Sequence, residues 1–223
     1  MILNISYKFI IFSTLAALIF FIYPQIDIHV SSLFFSDGIF QAKNNPLVRF
    51  IYNAVPIAAA IFFIAVIGSY VYMIAKKRTV LFGYNKKHYT YLILAMIIGP
   101  VLLVNGLLKE TSGRARPRHV AEFGGTKQFT PAFVFTDQCD KNCSFVCGHA
   151  SAGFYFVSLA LLFSGRKKRI IFWSAVSAGG IIGLIRIMMG GHFLSDVIFS
   201  FVFVYLSSLL LYFYMFDKAD RDK

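Results

Sequence analysis

Acidic residues are scarce in this chain: Asp and Glu number 10 against 22 Lys and Arg, and charged residues of all kinds make up only 14%. Soluble domains carry roughly a quarter charged residues, so an ordinary soluble globular chain is excluded. The few carboxylates are scattered, which leaves no cluster suited to Mg²⁺, and neither a metal nor another cofactor is expected. Cysteine is limited to Cys139, Cys143 and Cys147. Their C-x3-C-x3-C spacing lacks paired C-x2-C knuckles and a fourth ligand, which sets a structural zinc site aside. No internal repeat or low-complexity tract is present.

What the chain has is apolar bulk. Hydrophobic residues make up 58%, with 26 Phe and 12 Tyr, gathered in blocks of about 17–25 residues, the length that crosses a bilayer as a helix. Six spans are expected at roughly 9–25, 50–75, 89–108, 149–165, 170–188 and 196–215, giving an all-α polytopic membrane protein. A single domain over 1–223 follows, with a long outer loop at about 109–148. The first block follows Lys8 and ends in Tyr-Pro-Gln-Ile without a small-x-small cleavage pattern, so it reads as an uncleaved span.

The formal charge of +12 lies in short clusters between apolar blocks rather than on one solvated face, which argues against a nucleic-acid partner. The clusters instead orient the chain. With the N-terminus in the cytoplasm, the inner segments hold thirteen of the 22 Lys and Arg: Lys8, Lys76, Lys77, Arg78, Lys86, Lys87, Arg166 to Arg169, Lys218, Arg221 and Lys223. Both termini are then cytoplasmic, and the loop with all three Cys faces outside. There Cys139 and Cys143 are either a disulfide, in an oxidising compartment, or two free thiols. Gly179-x3-Gly183 is a small-residue pattern that lets membrane helices approach closely.

Ionisable residues beside a membrane are costly and are retained mainly where they pair, line a cavity or act. Three groups fall on the outer face: Lys109 to Arg116-Pro117, Cys147-Gly148-His149, and Arg186-x5-His192-x3-Asp196. Singly, each has an ordinary explanation as a snorkelling cation, a helix-end histidine or a helix cap. Together the pattern K-x6-RP, x-G-H, R-x5-H-x3-D resembles the type 2 phosphatidic acid phosphatase superfamily. Two positions depart from the family's usual P-S-G-H and S-R: Cys147 stands for serine, and Ile185 precedes Arg186. The resemblance implies Cys147 as a phosphate-binding residue, and it is a weaker hydrogen-bond donor than the serine it replaces.

A phosphate monoester carries about two negative charges, which fixed cations and backbone N–H groups stabilise as they redistribute. Lys109, Arg116 and Arg186 suit that task, and Gly148 lets the backbone come close. His192 and Asp196, four apart at a helix start, can meet on one face. The resemblance implies His192 as nucleophile, Asp196 as its orienting carboxylate, a phosphohistidine intermediate, and His149 as general acid. It also implies an anionic phospholipid or lipid A as substrate, with lipid A and its 4′ phosphate favoured. Undecaprenyl diphosphate, phosphatidylglycerophosphate and phosphatidic acid are the alternatives, as is transfer to another lipid.

A bacterial inner membrane with a periplasmic site is the expected setting. Arg114 and Arg118, which flank Arg116, are candidates to hold a second anionic group of the headgroup, an interfacial role being the other reading; His29 and His88 read as interfacial, and His119 matches no motif. A transporter or structural membrane protein is disfavoured, because its relay would place charges at mid-membrane.

Overall fold

The computed structural model describes residues 2–217, and side chains for 7–216. The elements are α1 (Ile2–Ile22), α2 (Gln25–Ser32), a hairpin of β1 (Phe35–Ser36) and β2 (Ile39–Phe40), and α3 (Pro46–Ala75). A second hairpin, β3 (Val80–Leu81) and β4 (Tyr84–Asn85), leads into α4 (Lys86–Thr111). After a long loop come the short α5 (Gly148–Phe154) and α6 (Val157–Leu161), then α7 (Gly165–Met188) and α8 (Leu194–Phe216). The described residues are thus mainly helical, with two small hairpins that hydropathy did not suggest. Lys218, Arg221 and Lys223, expected on the cytoplasmic side, lie outside the described residues.

Local sequence explains where the long helices start. Asn45 accepts from the N–H of Leu47 at 2.9 Å and of Val48 at 3.2 Å, with Pro46 at the first helical position of α3, where a missing N–H costs nothing. Asn85 accepts from Lys87 N–H at 3.1 Å at the start of α4.

Among the described residues four helices, α3, α4, α7 and α8, are long and apolar enough to cross a membrane, and α1 with α2 makes a fifth if that pair, bent by 85°, is one span. Where one span was expected at 149–165, the structure has two helices of seven and five residues. At the break Phe156 N–H reaches Gly153 and Ser158 N–H reaches Tyr155, while the Ser158 hydroxyl donates to the Tyr155 carbonyl at 2.7 Å. Tight i, i+3 bonding with a serine hydroxyl occupying a carbonyl interrupts the α pattern.

Lipid supplies no hydrophobic drive between helices, so close packing must hold them. Gly179 leaves room for the Phe154 ring and Gly183 for Val197, which seats α7 against α5 and α8. Around them a core of Phe145, Val146, Phe154, Ile187, Val197 and Phe199 lies beneath the polar end of the bundle. Outward-facing Ile10, Leu15, Phe50, Ile57, Ile61 and Ile64 suit a lipid surroundings. An apolar groove of about 720 Å³ along α1, α7 and α8, lined by Phe12, Trp173, Leu184 and Phe201, includes none of the candidate catalytic residues.

The two ends of the bundle differ. The residues that follow α3 and the first of α4 and α7 include Lys76, Lys77, Arg78, Lys86, Lys87 and Arg166 to Arg169. The opposite end gathers the C-termini of α4 and α7 with the N-termini of α3, α5 and α8, beneath the 112–147 loop.

Candidate active site

Lys109 lies in the last turn of α4, His149 in the first turn of α5 and Arg186 in the last turn of α7, while His192 precedes α8, whose first turn holds Asp196. A tight turn makes the α7–α8 join possible. Gly190 has φ of +61° with the Phe40 ring against it, and the space a side chain would need at Gly191 is filled by the Arg186 guanidinium, so both positions require glycine.

His192 is fully buried, and its Nδ1 lies 2.7 Å from the Ser144 carbonyl oxygen. A carbonyl only accepts, so Nδ1 carries the proton and Nε2 keeps its lone pair. Nε2 is buried without a hydrogen-bond partner among the described residues. Burial, followed by the positive field of Arg186 and Arg116, lowers the imidazole to about 3 against the opposing pull of Asp196, so it stays neutral.

Asp196 stands 3.5 Å from Nδ1, farther than the Ser144 carbonyl. Its oxygens accept from Phe193 N–H at 2.8 Å, the Ser144 hydroxyl at 2.5 Å and Arg114 Nη1 at 2.6 Å. Asp196 therefore holds both the start of α8 and the residue whose carbonyl fixes the imidazole.

Arg114 ties this centre to α2. Its Nη2 donates to Asp27 Oδ2 at 2.8 Å, Nη1 also to Ser195 Oγ at 2.8 Å, and Nε to the Thr130 carbonyl at 2.8 Å. Asp27 in turn accepts from Ser195 N–H at 2.8 Å and its hydroxyl at 2.5 Å. The guanidinium lies over the Phe193 ring at 4.4 Å, a cation–π contact. With 1% exposure and four donor bonds inside the protein, Arg114 is not placed to hold a headgroup, which corrects that expectation. One guanidinium instead satisfies two buried carboxylates, each of which would be costly alone.

The other cations have no such partners. Lys109, Arg116 and Arg186 are 8%, 6% and 4% exposed, and among the described residues none has a carboxylate within ion-pair distance. The Asn142 carbonyl accepts from Arg116 Nε at 3.1 Å and Nη2 at 2.6 Å, and the Asn142 side chain accepts from Nη2 at 2.8 Å. Burial, then the Arg186 charge beside it, lowers Arg116 to about 10, still cationic at neutral pH. Arg186 lies 4.7 Å over the Tyr52 ring, and its Nε is buried without a hydrogen-bond partner among the described residues. The same Tyr52 stacks on His149 at 4.3 Å. Both histidines lie within electrostatic reach of Arg116 and Arg186.

Gly148 admits Lys109: a methyl group there would strike the Asn105 carboxamide and come 3.2 Å from Lys109 Nζ. Cys147 is fully buried, and burial raises its thiol, with Arg186 pulling the other way, so it remains protonated. Cys139 and Cys143 form a disulfide, which removes both as thiolate ligands and closes the short loop holding Asn142. His119 accepts from Arg118 Nε at 3.2 Å.

Sequence reasoning brought Lys109, Arg116, Cys147, Gly148, His149, Arg186, His192 and Asp196 to one end, and the structure gathers them there. It missed Asp27, Ser144, Ser195, Asn142 and Tyr52. Only Asp27, a carboxylate between isoleucines beside an apolar block, carried a signal.

Comparison with known proteins fits this arrangement. The lipid A 4'-phosphatase of Francisella tularensis subsp. novicida is 47% identical over 136 residues, 60% of this chain and 61% of that protein. The lipid A 4'-phosphatase of Rhizobium etli is 42% identical over 120 residues, 53% of this chain and 44% of its own length. A lipid A 1-phosphatase of Rhizobium etli is 37% identical over 109 residues, 48% of this chain and 43% of that protein. The match thus spans less than two thirds of each relative. No solved structure shows a significant match. The model of the PAP2 superfamily matches residues 88–220, the stretch that supplies every candidate catalytic and phosphate-binding residue, and the chain belongs to that superfamily.

Proposed function

We propose that this protein is an integral membrane phosphatase that hydrolyses a lipid phosphate monoester through a phosphohistidine, with lipid A as substrate and its 4′ phosphate favoured. The observation that carries the reading is the set of three buried cations, Lys109, Arg116 and Arg186, lacking carboxylate partners among the described residues, beside a neutral histidine whose Nε2 is open. Buried charges need compensation, and a phosphate supplies it.

In this reading Lys109, Arg116 and Arg186 with the Gly148 backbone N–H hold the phosphoryl oxygens. His192 Nε2 attacks phosphorus as the bond to the lipid oxygen breaks, His149 gives its proton to that oxygen, and water then cleaves the phosphohistidine to inorganic phosphate. Asp196 and the Ser144 carbonyl stabilise the positive charge that develops on the imidazole. The residues form a single domain over 1–223 that uses no metal. The 47% identity to a protein named for the 4′ position favours that position; the weaker match to a 1-phosphatase keeps the other phosphate as the second reading.

The membrane placement belongs to the same proposal. Counting α1 with α2 as one span and α5 with α6 as another gives six, with both termini cytoplasmic and the basic end inward. The site then faces the periplasm, where the Cys139–Cys143 disulfide is at home.

The test is phosphate release by wild type and His192→Ala in parallel from lipid A, undecaprenyl diphosphate, phosphatidylglycerophosphate and phosphatidic acid, with mass spectrometry locating the lost group. Loss of the 4′ phosphate from lipid A, with wild type only, supports mechanism and substrate. Preference for another lipid removes the substrate assignment, and no release from any removes the function.

A further inference from the structure

Next to the Met189–Gly190 turn lies a second hollow of about 380 Å³, whose lining includes Lys43, Asn44, Arg118, His119, Phe40 and Phe123, and no carboxylate. It differs in character from the apolar groove on the bundle flank. Phe40, on its floor, rests against Gly190, and Arg118 N–H donates to the Gly190 carbonyl at 3.1 Å. The hollow is thereby tied to the turn that carries His192, and Arg118 lies within electrostatic reach of Arg186.

Arg118 is held for use. His119 Nε2 accepts from its Nε at 3.2 Å, which fixes the guanidinium plane, while Nη1 and Nη2 have no hydrogen-bond partner among the described residues. Lys43 is exposed and, among the described residues, forms no ion pair. A planar fork with two open donors, an exposed ammonium and aromatic walls make a receptor for a phosphate carried on a ring or other partly apolar group.

We propose that the hollow formed by Lys43, Arg118 and His119 is a second anion subsite, which takes a second phosphate on the same lipid headgroup whose scissile phosphate enters the His192 cradle. The assignment rests on the phosphatase reading above, and it makes the preferred substrate class a headgroup with two separate phosphates.

The test uses the full chain in mixed micelles with two substrates: lipid A bearing both phosphates, and lipid A bearing only the phosphate that is removed. Arg118→Gln should raise KM for the doubly phosphorylated lipid about tenfold, the loss of one charge-assisted contact, and Lys43→Gln should raise it several-fold. Both variants should keep wild-type kcat, and wild-type KM for the singly phosphorylated lipid. Equal losses on both lipids would overturn the proposal, because Arg118 would then act on the scissile phosphate, and so would no loss on either.

A second arm needs no turnover. The His192→Ala protein should bind the doubly phosphorylated lipid about tenfold more tightly than His192→Ala/Arg118→Gln, with no difference for the singly phosphorylated one. If wild type released no phosphate but this binding difference appeared, the phosphatase reading would fall and the subsite would stand; with no binding difference the subsite falls. Inorganic phosphate provides the last control. Should it alter turnover of the singly phosphorylated lipid in wild type and not in Arg118→Gln, the hollow serves free phosphate and the headgroup assignment is wrong.

Discussion

Replacing Asp27 by Asn isolates the buried ion cluster from the chemistry it supports. The carboxylate accepts three bonds, from Ser195 N–H, Ser195 Oγ and Arg114 Nη2. An amide of the same shape offers one oxygen, so its NH₂ must face either the Ser195 N–H or the Arg114 fork, donor against donor. One charge-assisted bond is lost, at about 2–3 kcal/mol. For a chain of this size that is a fall of about 5–10 °C in thermal midpoint, readable by fluorimetry in detergent.

The kinetic consequence is separable from the thermal one. Asp27 acts only through Arg114 and Ser195, and Arg114 holds Asp196, which holds Ser144 and the imidazole. A slackened imidazole should lower kcat about tenfold, equivalent to about 1.4 kcal/mol in the barrier, with KM unchanged because the phosphate cradle is untouched. A variant with wild-type midpoint and kcat would refute the idea that this cluster positions His192. A raised KM at constant kcat would show instead that Asp27 supports substrate binding.

Other substitutions probe the cradle. Gly148→Ala should displace Asn105, break its 2.7 Å bond to the Pro100 carbonyl and crowd Lys109, lowering kcat/KM by about tenfold; unchanged kinetics would mean Lys109 has room to spare. Cys147→Ser should match or exceed wild-type activity, since a hydroxyl donates better than a thiol, and a severe loss in the same assay would reveal a specific need for sulfur. His149→Ala should reduce lipid phosphate release by more than about a thousandfold without lowering the thermal midpoint; full activity would remove it as general acid. The fifth prediction concerns pH. Burial holds His192 at about 3 against about 6.5 unfolded, so between those values the unfolded state binds the extra proton. Stability should fall as pH drops through that window, by about 1.4 kcal/mol per unit, and be unaffected above it. Wild type should therefore lose midpoint faster than His192→Gln from pH 6.5 downward, and parallel curves would contradict the buried neutral state.

The helix ends of the site were legible because charge is rare in such a chain and each retained charge demands a reason. Lys109, His149, Arg186, His192 and Asp196 all stand at boundaries that hydropathy locates. Asp27 escaped because averaging over a span-length window absorbs one carboxylate among isoleucines, and its partners Arg114 and Ser195 lie 87 and 168 residues away. Arg114 looked like its neighbours Arg116 and Arg118, and only the packing separates an interior strut from a ligand-facing cation. The short α5–α6 pair read as one span because Gly153, Tyr155 and Ser158 break the helix through contacts that hydropathy does not weigh. Asn142 gave no sign at all, its importance arising from the loop that Cys139 and Cys143 close.

The tie between α2 and the start of α8 also sets the order in which this protein becomes itself. During synthesis the first helices enter the membrane while Ser195 and Asp196 are still to be made, so Asp27 and Arg114 must wait for the rest of their partners. His192 acquires its geometry only when the last helix arrives and closes the cluster. On the proposed mechanism, a chain halted before α8 would therefore carry most of the phosphate cradle yet be chemically silent, and the completed bundle would switch on as a unit at the end of its own insertion.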